Sequence, residues 1–217
     1  MAIPFEKMTT DEALHYMPHL EYHHAQTILL IGQREMGKTH VMEEYIKNRE
    51  PRVLALGMDN AFLGLRRRSA ANCIADLREV YHGPNGPFLP AVQRRVVPGP
   101  GQAGKDLAQS LFAALPKAGV RNVLLAIDEI SKWSENHETA SFREAVLQGR
   151  HYGYRAIAGS QRLSFVSIAF RAEVTTLLIF RTVLEKDIEH VKEWLGKSAA
   201  EVVQTLQTGE CLFANTR

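Results

Sequence analysis

Apolar residues along this chain fall in short continuous runs separated by amphipathic stretches, a pattern of buried strands joined by helices. TILLI at 27–31, RVLALG at 52–57, NVLLAIDEI at 122–130, YRAIAGSQ at 154–161 and TTLLIFRT at 175–182 each read as a strand covered on both faces, and ECLFA closes the chain as a further one. Helical patterns lie between them: from 38 onward, at 106–117, near 139–149, around 163–172, at 184–195 and near 198–206. Thr9 and Glu12 have capping-box spacing, which predicts a short helix over 10–17 ending near Pro18. Residues 58–105 are the least regular, with a basic run LRRRS, a possible helix AANCIADLREV, the turn-rich HGPNGPFLP and a candidate strand RRVV. Strands alternating with helices predict a three-layer α/β fold with a mostly parallel central sheet. The expected division is a helical extension over 1–24 and one core domain over 25–217.

Composition changes that picture little. At 217 residues, 45% hydrophobic and 23% charged, the chain suits one domain with a substantial core. A formal net charge of +2 leaves room for a local basic patch without itself indicating a nucleic-acid partner. Cys73 and Cys211 make no disulfide framework and no C-x-x-C pair, which suits a reducing compartment and argues against structural zinc. The first residues lack the apolar core of a signal peptide, and no apolar run approaches the roughly 20 residues of a membrane-spanning helix.

The strand TILLI opens directly into GQREMGKT, residues 32–39. This is the G-x-x-x-x-G-K-[ST] pattern of a phosphate-binding P-loop, and a helical stretch follows it. Such a loop needs glycines because main-chain amides must wrap phosphate oxygens closely, and because the next helix offers free N–H groups and a positive dipole end. The expected nucleotide contacts run through Gly32, Gln33, Arg34, Glu35, Met36, Gly37, Lys38, Thr39 and His40, with Lys38 reaching the β- and γ-phosphates and the Thr39 hydroxyl ligating Mg2+.

A second half of such a site is a carboxylate ending a buried strand, and VLLAIDE at 123–129 supplies two. Asp128 is the expected metal residue, and Glu129 the general base that orients an attacking water. A small-molecule or nucleotide kinase uses the same phosphate cradle but has less need of a glutamate poised for water, so the pair leans towards hydrolysis. A nucleotide-switched assembly factor without motor activity is the third reading.

Beyond the Asp-Glu strand, GRHYGYRAIAGSQRLSFVSIAFRAEVTTLLIFRT at 149–182 and TLQTGECLFANTR at the end resemble the FtsK/HerA superfamily of DNA-pumping ATPases. The likeness rests on GQREMGKT, LLAIDE, GSQR and FRT, and it implies a RecA-like P-loop NTPase fold, ATP and Mg2+ as cofactors, and non-sequence-specific grip on double-stranded DNA. The chain looks most like the genome-packaging ATPases of membrane-containing icosahedral viruses, which implies action in host cytoplasm or at a virion vertex, with capsid or portal proteins as possible partners. Cellular DNA-transfer ATPases are a variant of the same reading; GTP as fuel stays open. The resemblance assigns Gln161 as a polar sensor of the γ-phosphate. It also offers Arg150, then Arg181, with Arg162 competing, as an arginine finger inserted by the neighbour in a homo-oligomeric ring, a hexamer by family likeness. Candidate DNA contacts are Arg66, Arg67, Arg68, Arg94, Arg95 and Lys132. Histidines at 15, 19, 23 and 24 suggest a metal only superficially, since Pro18 breaks the helix that would align them. Trp133 and Trp194 are expected as packing residues.

Overall fold

The structure, a computed structural model, describes residues 3–17, 26–58, 60–79, 81–83, 86–88, 91–133 and 139–216. Apolar runs that bury both faces need a helix layer on each side. The central strands are β2 (Thr27–Ile31), β3 (Arg52–Leu56), β8 (Leu124–Ile127), β9 (Arg155–Ser160) and β10 (Thr176–Ile179), and every residue in them is buried. With β1 (Phe5–Thr9), β4 (Arg66–Arg67), β7 (Val92–Val96) and β11 (Glu210–Asn215) they form one sheet, ordered β1-β11-β10-β2-β9-β8-β3-β7-β4. From β10 to β4 every pairing is parallel, whereas β11 runs antiparallel to both β10 and β1.

Strand period two sorts side chains onto the two layers. Leu29, Ile31, Leu54, Leu56, Leu125 and Ile127 join the core on one face, under α3 (Ala70–Arg78), α4 (Gly101–Lys117), α7 (Glu185–Leu195) and α8 (Lys197–Val202). Ile28, Leu30, Val53, Ala55, Leu124 and Ala126 face the other layer, built by α1 (Thr10–Tyr16) and α2 (Lys38–Arg49). The three-layer α/β architecture is therefore the one the apolar runs predict. A small antiparallel pair, β5 (Tyr81–Gly83) and β6 (Gly86–Phe88), stands apart from the main sheet.

Four elements depart from the sequence pattern. Residues 5–9, inside the expected helical extension, form edge strand β1, held in register by β11 from Phe5↔Ala214 to Thr9↔Glu210. Its alternation is too short to signal a strand alone; α1 follows with the expected capping box, the Thr9 amide donating to Glu12 Oε2 at 2.8 Å. Helix α4 starts five residues earlier than 106, because Gly104 packs its backbone on the Gly99 carbonyl, where a Cβ would lie 1.8 Å from that oxygen. The segment at 139–149 is a short α5 (Ala140–Phe142) that widens into a π-turn over Arg143–Leu147, with the Gln148 amide donating to Arg143 O at 2.8 Å. The helix expected over 163–172 is split: a 3-10 turn, Leu163–Phe165, precedes α6 (Ile168–Glu173), whose Ser167 hydroxyl accepts from the Phe170 amide at 3.1 Å. His15 lies in α1, while His19, His23, His24 and His137 fall outside the described residues. Cys73 and Cys211 are buried and unbridged. Among the described residues no helix is long and apolar enough to cross a membrane.

One buried ion pair joins the layers. Arg155 at the start of β9 meets Glu50 at the end of α2 through two bonds, 2.9 and 2.7 Å, with side chains only 3% and 0% exposed. Two charges this far from water are tolerable only while each satisfies the other. Glu50→Ala should therefore lower stability by about 3 kcal/mol or more, as the buried Arg155 guanidinium loses its bidentate carboxylate. Urea unfolding checks this, and Glu50→Leu combined with Arg155→Met should recover most of the loss.

Candidate functional site

In a parallel sheet all strands finish at one edge, and that edge collects the residues that follow them. β2 leads into the glycine loop, β9 into Gln161, and β8 into Asp128 and Glu129; β9 lies between the other two. The loop entrance is stitched to its neighbours: the Gly32 amide donates to Ser160 O at 3.2 Å and the Gln33 amide to Arg181 O at 3.2 Å.

Gly32 is required for a reason beyond phosphate approach. At φ +151° its missing Cβ would sit 2.5 Å from the Cβ of Phe180, so the end of β10 occupies the space a side chain would take. Gly37, at φ 106° in the left-handed region, turns the chain into α2. Lys38 curls back over the loop, its ammonium donating to the carbonyls of Gly32 and Gln33 at 2.6 Å each. Burial pulls the Lys38 pKa down, and Arg34 adds to this, while Glu129 and Asp128 pull it back up.

Asp128 lies opposite. The Thr39 hydroxyl approaches its Oδ1 at 3.5 Å, its amide donates to Leu56 O at 2.8 Å, and its carbonyl accepts from the Trp133 indole N–H at 3.0 Å. Burial and the adjacent Glu129 raise the Asp128 pKa; Lys132, Lys38 and Thr39 oppose them. Successive residues of an extended strand point to opposite faces, yet Asp128 and Glu129 both line this cleft. The cause is Glu129 itself, which adopts the left-handed conformation at φ 54° and ψ 67°, an unusual and costly state for a residue with a Cβ. Its Oε1 accepts the Gln161 amide at 3.1 Å, and the hydroxyls of Ser131 and Ser160 also reach that oxygen.

The resulting cleft, of about 630 Å³, is lined by Arg34, Glu35, Gly37, Lys38, Thr39, His40, Met58, Asn60, Asp128, Glu129, Lys132 and Gln161. It thus gathers most of the glycine-loop residues with the acidic pair and Gln161. The Thr39 hydroxyl and Asp128 carboxylate are hard oxygen donors on facing walls, a set that fits Mg2+. Lys132, a candidate DNA contact in the sequence, lines this cleft instead.

The remaining candidates lie elsewhere. Arg150 is exposed on a separate cavity of about 570 Å³, shared with Arg143, Gln148, His151 and Glu173, which has no lining residue in common with the cleft. Arg181 is exposed just beyond β10, whereas Arg162 pairs with buried Asp187 at 3.4 Å and covers the Phe165 ring at 4.6 Å. Arg66 and Arg67 form β4 in register with Arg94 and Arg95. Asp76 holds Arg94 at 2.5 Å and Arg68 at 3.8 Å, and Arg95 donates to Ala61 O at 2.8 Å, so the two exposed side chains of β4 form the outer part of the cluster. Trp133 and Trp194 both pack on the core. Sequence reasoning passed over Ser131, Ser160, Met58 and Asn60. Ser160 lies within GSQR and Ser131 shortly after LLAIDE, but nothing in a lone serine separates a ligand from a surface hydroxyl.

No protein-family model matches the chain, and no curated protein does. Solved structures do. The genome packaging NTPase B204 of Sulfolobus turreted icosahedral virus 2, in complex with ATP-gammaS, superposes with a TM-score of 0.65 at 17% identity, covering 87% of this chain and 90% of that one. The same NTPase with AMP gives 0.66 at 16% identity, over 90% and 94% of the two chains. VirB4 of Thermoanaerobacter pseudethanolicus gives 0.57 at 12%, over 87% and 86%. The chain has the RecA-like P-loop fold. At these identities the likeness is one of fold, and what the cleft does must be argued from its own residues. In that fold the five central strands run β10-β2-β9-β8-β3 here, with the glycine loop leaving the second and the acidic pair the fourth.

Replacing Lys38 by Met removes the cation but keeps most of the stem. Affinity for a fluorescent ATP analogue should fall about a hundredfold, the scale of two charge-assisted hydrogen bonds, as read by anisotropy titration.

Proposed function

We propose that the chain is an ATP-hydrolysing double-stranded DNA translocase, working as a head-to-tail ring, a hexamer by family likeness, that pumps a viral genome into a preformed capsid. The observation that carries the reading is the turn of Glu129 into the cleft beside Asp128, across from Lys38 and Thr39. A phosphoryl-transfer kinase needs the cradle and the metal residue; a second carboxylate held at the same strand end gives water a base.

Residue roles follow. The Gly32–Thr39 backbone and Lys38 bind the triphosphate, and Thr39 and Asp128 would hold Mg2+, which would neutralise phosphate charge. Glu129 accepts the proton of the attacking water. Gln161, which lines the cleft just past the end of β9, senses the γ-phosphate in this reading. Arg150, on a different cavity from its own cleft, supports a finger delivered to the neighbouring subunit. The arginine cluster of β4 and β7 supports a phosphate-gripping surface that reads no bases. The viral setting draws support from the likeness to B204, a genome packaging NTPase by name.

Two measurements test this. Steady-state ATPase activity should rise with double-stranded DNA, and Glu129→Gln should bind ATP while losing about a thousandfold in turnover. Undiminished turnover in that variant removes the base, and a DNA-indifferent rate with transfer to an acceptor hydroxyl points to a kinase. Mixing wild-type subunits with Arg150→Ala should depress activity beyond simple dilution; a proportional loss means the finger is another residue.

A further inference from the structure

The Glu129 side chain has three rotatable bonds, so a backbone turned into the cleft does not by itself aim the carboxylate. Its oxygens are not equivalent. Oε1 accepts from Ser131 Oγ at 2.9 Å and from the Gln161 amide at 3.1 Å, with Ser160 Oγ further off at 3.4 Å. Among the described residues Oε2 has no hydrogen-bond partner.

We propose that Ser131 is a positioning residue for hydrolysis: with the Gln161 amide it anchors Oε1 and leaves Oε2 to the attacking water. This rests on the reading of Glu129 as the base.

The two serines differ in what their single hydroxyl proton can do. The Ser160 hydroxyl has a nearer acceptor, Arg162 O at 3.0 Å, and it also accepts the Arg162 amide at 3.3 Å. Its proton is therefore engaged in closing the 160–162 turn, and Glu129 receives the weaker share. The Ser131 hydroxyl has the short bond to the carboxylate, and its backbone is stiff. It sits in a 3-10 turn, Ile130–Lys132, closed by Lys132 N to Glu129 O at 2.9 Å and Trp133 N to Ile130 O at 3.1 Å. The buried Trp133 ring then ties that turn to Asp128 O. Metal residue, base and positioning hydroxyl thus share one rigid corner after β8. A serine that merely satisfied a buried carboxylate would show itself in stability or nucleotide affinity; one that aims the base affects turnover alone.

The test compares Ser131→Ala, Ser131→Thr, Ser160→Ala and Glu129→Gln in the full chain, measuring kcat and the Kd for ATP-gammaS. Ser131→Ala should lower kcat about tenfold with Kd within about twofold of wild type, and Ser131→Thr, which keeps a hydroxyl, should return kcat to within about threefold. Ser160→Ala should cost less than about threefold. Wild-type kcat in Ser131→Ala while Glu129→Gln is inactive overturns the positioning role and leaves the hydrolase reading intact. Equal losses in Ser131→Ala and Ser131→Thr, or a loss that appears in Kd, also overturn it. If Glu129→Gln turns over at the wild-type rate, the base itself is wrong and the positioning role fails with it.

Discussion

The cleft depends on parallel strands finishing at one edge in a fixed order. β2, β9 and β8 are adjacent, so the glycine loop, Gln161 and the acidic pair arrive side by side although they are far apart in the chain. A one-residue slip of register in β9 would flip its side chains between layers and carry Ser160 and Gln161 away from the loop. The sorting of Ala156 and Ala158 to one core and Ile157 to the other opposes such a slip. Core packing in this molecule thus also sets the geometry of the cleft.

Two local tensions are kept at the same edge. Gly32 lies against Phe180 with no room for a Cβ, and Glu129 holds a left-handed conformation that its side chain disfavours. Both are sustained by what surrounds them: main-chain bonds from Gly32 and Gln33 to the ends of β9 and β10 on one side, and the Trp133-braced turn on the other. At the opposite end of the sheet the Arg155–Glu50 pair fixes α2 to β9, so the helix that begins at the phosphate loop is anchored at its far end as well. Rigid surroundings are what a preorganised electrostatic site requires.

Much of this was legible in the sequence for physical reasons. Strands buried on both faces are continuous apolar runs, so TILLI, RVLAL and TLLI announced themselves, and the spacing in GQREMGKT carries its chemistry in the residue types. The edge strand β1 was not legible, because five residues with a mixed pattern acquire a strand only through β11. Nor was the early start of α4, where Gly104 is helical because its lack of a side chain admits the Gly99 carbonyl. Periodicity does not register the π-turn after α5 or the Ser167 cap that begins α6. Within the site, loop and acid were visible as motifs, whereas the left-handed turn of Glu129 and its serine partners are properties of the folded corner.

The most direct measurement of the central claim is a crystal structure with a non-hydrolysable ATP analogue and Mg2+. The metal should then be held by Thr39 and Asp128, with Glu129 Oε2 beside a water that faces the γ-phosphate. Nucleotide bound outside the 630 Å³ cleft, or a metal held without Thr39 and Asp128 while Glu129 turns from the phosphate, would contradict it.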